Sequence, residues 1–170
     1  MAYASKREKA VLGKKGEELS HQLLRQWQRT YGYTDIQDVS KVKAFRDIDC
    51  DFQVVKKDGT KVLIEVKTEE AIAETGNIYV ETVTNCDTGL AGWYYKSKAD
   101  KLFYIDWPNQ ILYVFDFDDF RQEVELIKHR LRLVRAWSQE EDGWEKETEG
   151  YLLNIRDFSK FKSYRKFMIS

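Results

Sequence analysis

Residues 46–68, RDIDCDFQVVKKDGTKVLIEVKT, constrain the fold of this chain more than any other segment. Two runs rich in β-branched residues, about 48–56 and 60–68, flank Lys57-Asp58-Gly59 and spell a β-hairpin. Loop length then decides which side chains share a face. A two-residue Asp58-Gly59 turn pairs Lys57 with Thr60 and puts Asp51 and Glu65 on opposite faces. A three-residue loop pairs Lys56 with Thr60 instead, with Gly59 in the left-handed position after a type I turn. In that register Val54 faces Val62, Phe52 faces Ile64 and Cys50 faces Val66, while Asp51 falls opposite Glu65 and Asp49 opposite Lys67. The apolar partners then all lie on one face. Register is strongly specified when one face is buried, so the three-residue loop is expected.

The other face of the hairpin gathers carboxylates around a lysine. Like charges held together repel unless something neutralises them. Hard dications such as Mg²⁺, Mn²⁺ or Ca²⁺ take carboxylate oxygens as ligands. A lysine beside them can pair with a carboxylate, position a water or steady charge developing on a phosphate. Together these are the parts of metal-assisted phosphodiester hydrolysis. The plainer reading is a solvated hairpin in which Asp49 and Lys67 form a minor surface ion pair. Against it, VLIEVKT carries apolar residues on both sides of Glu65, as a central strand does, and an unpaired carboxylate is costly there.

The surrounding pattern is that of an α/β protein. A long helix is expected over about 5–31, opened by a Ser5/Glu8 capping box, with Leu12, Leu19, Leu23 and Trp27 facing the core. Gly13 and Gly16 weaken such a helix, and close approach to a sheet is a reason to keep them. Strands are expected at 77–83, 102–107, 111–117, 133–137 and 151–155. An irregular connection over 89–95 precedes a short helical turn capped by residues 97–100. A second helix carries Phe120, Val124, Ile127 and Leu131, and a basic helix closes the chain. This order predicts one α/β domain, a mixed sheet flanked by helices, with a core at about 5–117 and a C-terminal extension over 118–170.

Composition supports a globular protein, with 42% hydrophobic and 34% charged residues among 170. Net charge is −1, but basic residues cluster near both ends, at Lys6, Arg7, Lys9, Lys14, Lys15 and again at Arg156, Lys160, Lys162, Arg165, Lys166. An acidic stretch with Glu140, Glu141, Asp142, Glu145, Glu147 and Glu149 stands against them. Such runs read first as solvated surface, although a local basic surface can hold phosphates. No apolar run is long enough for a bilayer, no signal-peptide core is present, and Cys50 and Cys86 form no paired motif. The expected setting is the reducing cytoplasm, away from membranes.

The order of an aspartate, a hairpin and then Glu65-x-Lys67 resembles the PD-(D/E)xK nuclease superfamily, which includes restriction endonucleases and Holliday-junction resolvases. Asp51 matches the motif aspartate, and Glu65 and Lys67 match the E-x-K pair. The run Gly13-Lys14-Lys15-Gly16-Glu17 is similar to the resolvase-like branch, whose first helix supplies a further metal-site glutamate at the position of Glu17. Helical geometry agrees, since Glu17 flanks the apolar stripe whereas Glu18 points nearly opposite. Thr75–Glu81 with Gly92-Trp93 and Ser97–Asp100 resembles a phage or bacterial subgroup. Cys50 stands where the family has proline, which leaves Asp49 as a competitor for the motif position.

The resemblance covers about residues 13–107 and implies a restriction endonuclease-like fold. It further implies an Mg²⁺- or Mn²⁺-dependent endonuclease acting on DNA, with Asp51, Glu65 and Glu17 as metal ligands and Lys67 assisting the attacking water. Asp49 and Glu81 are possible additions. Lys14, Lys15, Trp93, Lys96 and Lys98 are candidate nucleic-acid contacts, although aromatics in such a loop more often pack on the sheet. A homodimer follows by analogy with enzymes that cut both strands. His21 and His129 have no metal-ligand spacing and read as structural or surface residues. A non-catalytic binding or assembly module on the same fold is the alternative.

Overall fold

A computed structural model describes residues 6–139 and 145–169. The elements run α1 Lys6–Tyr31, β1 Tyr33–Asp38, α2 Lys43–Arg46, β2 Phe52–Lys56 and β3 Lys61–Glu69. They continue with α3 Ile72–Thr75, β4 Asn77–Asn85, β5 Leu90–Ala91, α4 Trp93–Lys96, β6 Lys101–Asp106 and β7 Ile111–Asp116. The last are α5 Phe117–Ile127, β8 Arg132–Gln139, β9 Glu145–Asn154 and β10 Arg165–Met168. A six-stranded sheet has the order β1-β2-β3-β6-β7-β10, and a four-stranded antiparallel sheet the order β5-β4-β9-β8. The protein is therefore a mixed α/β fold, as the sequence indicates, with a second sheet that the sequence does not announce.

The hairpin folds in the three-residue register. Phe52 pairs with Ile64 and Val54 with Val62. Lys56 N donates to Thr60 O at 2.9 Å, and Gly59, at φ 82°, donates to Lys56 O at 2.9 Å. β3 then runs parallel to β6, with Glu65 beside Leu102 and Lys67 beside Tyr104. A parallel pair needs a long crossover, and here residues 70–100 supply it while contributing α3, β4, β5 and α4. β3 is thus central, with strands on both sides.

Each face of the large sheet is covered. On one, Leu23 and Leu24 of α1 pack on Phe52, Val54, Ile64, Val66, Phe103 and Ile105. A Cβ at Gly16 would lie 1.8 Å from Thr68 Oγ1, so helix and sheet approach there as closely as expected; Gly13 has nothing within 4 Å and that reason does not extend to it. The opposite face carries an aromatic layer in which Tyr104, Phe115 and Phe120 meet Ile78 and Val80 of β4, Trp93 and Tyr94 of α4, and Phe158. Cys50 is buried in this second layer, not beside Val66 on the helix side, because β2 begins only at Phe52 and the preceding chain turns away.

Several expectations need correction. The basic C-terminus is a 3₁₀ turn, Ile155–Lys160, followed by β10 and not by a helix; Lys166 pairs with Tyr113 and Phe167 with Leu112. The 93–96 segment, expected as irregular, holds the helical turn, and Ser97 ends that turn instead of starting one. Residues 118–170 are woven into both sheets through β8, β9 and β10. Of the acidic stretch, residues 140–144 lie outside the described residues, as does Ser5 of the expected capping box. Glu147 and Glu149 sit on β9 and both pair with Arg135, at 3.1 Å each. Among the described residues no helix is long and apolar enough to cross a membrane.

Candidate active site on the β2–β3 hairpin

The site forms where β2 stops pairing with β3. Asp51 N donates to Ile64 O at 2.8 Å, and the ladder ends there. One strand position on, the Asp51 side chain takes over as acceptor: its Oδ2 receives Val66 N at 2.8 Å. The carboxylate therefore lies at the level of the sheet itself, in the gap left by β2. Groups from both faces can meet it there. From the aromatic side comes Glu65, which is 3% exposed and hydrogen-bonded through its side chain to Asp51. Lys67, two residues on and so on the same face, holds Glu65 Oε1 at 2.5 Å, with its Nζ 5.8 Å from the centre of the Trp93 ring. From the helix side comes Glu17, half-buried, within range of the Asp51, Asp38 and Lys67 charges. Glu18 is exposed, as the helical phase predicts.

Burial sets the electrostatics. It pushes Glu65 up to about 8 against the pull of Lys67, with the Asp51 charge adding to the rise. Asp51 is raised for the same first reason and restrained by Lys67 and by the Val66 N–H. Glu17 is pushed up to about 7 by burial, then by Asp51 and Asp38. Burial works against the Lys67 charge, but the Glu65 carboxylate more than offsets it and lysine is held above its ordinary range. Three acids converge here, each raised first by burial and then by its neighbours' charges. Clusters with such displaced titrations occur at functional sites.

Not every predicted residue joins them. Asp49 does not stand opposite Lys67: at φ 46° it is in the left-handed region, its carboxylate pairs with Lys96 at 2.8 Å and its carbonyl accepts from Ser97 Oγ at 2.8 Å. Its charge still bears on Asp51, Glu65 and Lys67. Glu81 on β4 is half-buried and raised by burial, with Lys67 opposing. Trp93 is 7% exposed and packs in the core, so its ring is not offered to a base. Lys96 is engaged by Asp49, Lys98 and Lys14 are exposed, and Lys15 Nζ lies 5.9 Å from the centre of the Trp107 ring.

Glu69 is the residue that sequence reasoning missed. It continues the Glu65-Lys67 alternation onto the same face, accepting Tyr104 Oη at 2.5 Å and Tyr79 N at 3.3 Å, and burial pushes it up to about 7. The signal was the third member of the E-x-K-x-E alternation.

The donor chemistry suits a hard dication: buried carboxylate oxygens pressed together need either a proton or a cation between them. Among the described residues no group of three or more His, Cys, Asp or Glu side chains is disposed to hold a metal ion. Asp51 and Glu65 supply two carboxylates, and Mg²⁺ is commonly held by one or two, with waters and substrate phosphates completing its shell. No protein-family model, no curated protein and no solved structure matches the chain.

Proposed function

We propose that the protein is a metal-dependent endonuclease that hydrolyses phosphodiester bonds in DNA, with Asp51, Glu65, Lys67 and Glu17 as its active centre. The observation that carries the reading is the pairing of the buried Glu65 carboxyl with the partly buried Asp51, with Lys67 2.5 Å from Glu65. Such a pair is a poor structural element and a good dication ligand set. Asp51 and Glu65 would hold Mg²⁺ or Mn²⁺, with Glu17 as a direct or water-mediated third contact. When bound, the ion would act as a Lewis acid on the scissile phosphate and lower the pKa of a water.

The chain's own groups have distinct parts. Glu65 fixes the Lys67 ammonium, which has further N–H donors to turn toward an attacking water or a phosphate oxygen. Glu17 is raised to about 7 by burial, Asp51 and Asp38 while no cation is bound, and a dication at the site would favour its ionised form as a ligand. Duplex cleavage by a homodimer in the cytoplasm belongs to the same proposal.

The alternative is a non-catalytic nucleic-acid-binding or assembly module on the same fold. Incubation of purified protein with linear, supercoiled and branched DNA separates the two. The endonuclease reading expects cutting with Mg²⁺ or Mn²⁺, none in EDTA, and none from a folded Lys67→Ala variant. DNA left intact in every combination overturns it, and metal-independent binding without cutting establishes the module.

A further inference from the structure

A groove of about 590 Å³ opens at the far end of α1, between that helix, the turn into β1 and the β2–β3 hairpin loop. Its lining includes Arg25, Arg29 and Lys57, together with Gln26, Gln28 and Tyr33, and contains no acidic residue. All three cations are exposed. The acids on the adjoining segments are turned to their own backbones: Asp58 Oδ1 accepts from Thr60 N at 2.8 Å, and Asp35 Oδ1 from Ile36 N at 2.9 Å. Three cations gathered in a concave surface without counter-charges repel one another, an arrangement that a polyanion relieves. The two glutamines add amide donors suited to phosphate oxygens.

The groove lies along the same helix as Glu17 of the candidate active site. Glu17, His21, Arg25 and Arg29 follow one another at four-residue spacing, which makes them one ridge along α1. His21 links the two ends: its ring lies 5.5 Å from that of Phe52, the residue next to Asp51, and its Nε2 accepts from Arg25 Nε at 3.2 Å. At 1.5 Å per residue, Arg25 and Arg29 stand roughly 12 and 18 Å along the axis from Glu17. That span corresponds to about four or five base steps at about 3.4 Å per strand charge.

We infer that Arg25, Arg29 and Lys57 form a phosphate-binding track that holds the nucleic-acid backbone four or five steps from the bond to be cut. The inference rests on the nuclease reading for its register but not for its charge. Such a track makes sequence-independent contacts, so it positions the strand and contributes affinity without base preference.

The test is equilibrium binding of a fluorescent DNA duplex to the whole protein in EDTA, where no cutting intervenes, over a range of salt. Relative to wild type, the triple Arg25→Ala, Arg29→Ala, Lys57→Ala variant is expected to bind at least about tenfold more weakly at 0.1 M salt. Its log–log salt slope should be shallower by about 2.7, three phosphate contacts at about 0.9 each. A charge-conserving Arg25→Lys, Arg29→Lys, Lys57→Arg variant should keep the wild-type slope. An Arg132→Ala, Arg156→Ala, Lys162→Ala variant, which removes exposed cations elsewhere, should keep near wild-type affinity. An unchanged slope in the first variant overturns the track, whether or not the protein cuts DNA. An equal loss in the distant variant overturns it too, as does groove-dependent binding to phosphatidylserine vesicles without binding to DNA. Groove-dependent DNA binding that persists while Mg²⁺ and Mn²⁺ elicit no cutting sinks the nuclease reading alone.

Discussion

Replacing Glu65 by glutamine should make the metal-free protein more stable, and only above the acid range. Glu65 is 3% exposed, and burial lifts its pKa from 4.5 to about 8. A carboxyl whose folded pKa is raised is neutral in the fold while its unfolded counterpart is already ionised. Its adverse contribution is absent below pH 4.5, grows between 4.5 and about 8, and is constant above. At about 1.4 kcal/mol per unit, the rise has a ceiling of roughly 5 kcal/mol. Its coupling to Asp51 and Lys67 leaves about 2–5 kcal/mol as the expected gain for Glu65→Gln at pH 8.5. For a chain of this length that corresponds to an increase in Tm of roughly 5–15 °C. Urea unfolding of both proteins in EDTA, from pH 4.5 to 9, measures the gap directly. Mg²⁺ should narrow it by stabilising the wild type alone. A variant no more stable than wild type at pH 8.5, or a gap that ignores pH, refutes the argument that the Asp51–Glu65 pair is strained by its own charge.

Three further substitutions test the fold around the site. Gly16→Ala adds a Cβ 1.8 Å from Thr68 Oγ1 and should cost about 1–3 kcal/mol by denaturant unfolding, although alanine is the better helix former; Thr68→Ala should recover part of the loss. Gly92→Ala places a Cβ 2.4 Å from the Glu81 carbonyl oxygen, which is backbone and cannot swing aside, so a loss of at least about 2 kcal/mol and a displaced Glu81 are expected in unfolding and crystal structures. Phe115→Ala empties a fully buried position that touches Phe120, Phe158 and Phe161, and calorimetry should register a loss of about 3–5 kcal/mol.

What could be read from the sequence was what two-residue periodicity and loop length determine locally. Gly59 picked the hairpin loop, the loop picked the register, and the register put Glu65 and Lys67 together; helical phase separated Glu17 from Glu18. Asp49 departs from strand alternation because β2 begins only at Phe52, whereas the sequence predicts a strand from about residue 48. A left-handed residue there breaks the alternation, and nothing in R-D-I-D-C-D advertises one. β1 leaves little trace in the sequence, since YTDIQD is an edge strand with four exposed positions and little apolar pattern. β10 is a strand where the basic run predicts a helix, because Phe167 packs on Trp27 from the edge of the large sheet. The second sheet depends on β4 meeting β9 across about 70 residues, a pairing that no local pattern encodes.

The polar stripe on β3 itself argues against a purely structural role. Glu65, Lys67 and Glu69 break the apolar pattern on a face otherwise buried in aromatic rings. Glu69 shows how a fold accommodates such a break, by giving the carboxylate a tyrosine hydroxyl and a backbone N–H to accept from. Glu65 is treated differently. One of its oxygens meets Lys67, but the carboxyl also faces Asp51, an acid against an acid. For structure alone, glutamine at 65 or asparagine at 51 would make a neutral hydrogen bond without the charge penalty. Keeping both acids, and drawing Glu17 towards them from a separate helix, destabilises the empty protein at neutral pH. A local rule broken at such cost is expected where something else binds, and the dication of the proposed function is a ligand whose charge offsets the repulsion between the carboxylates.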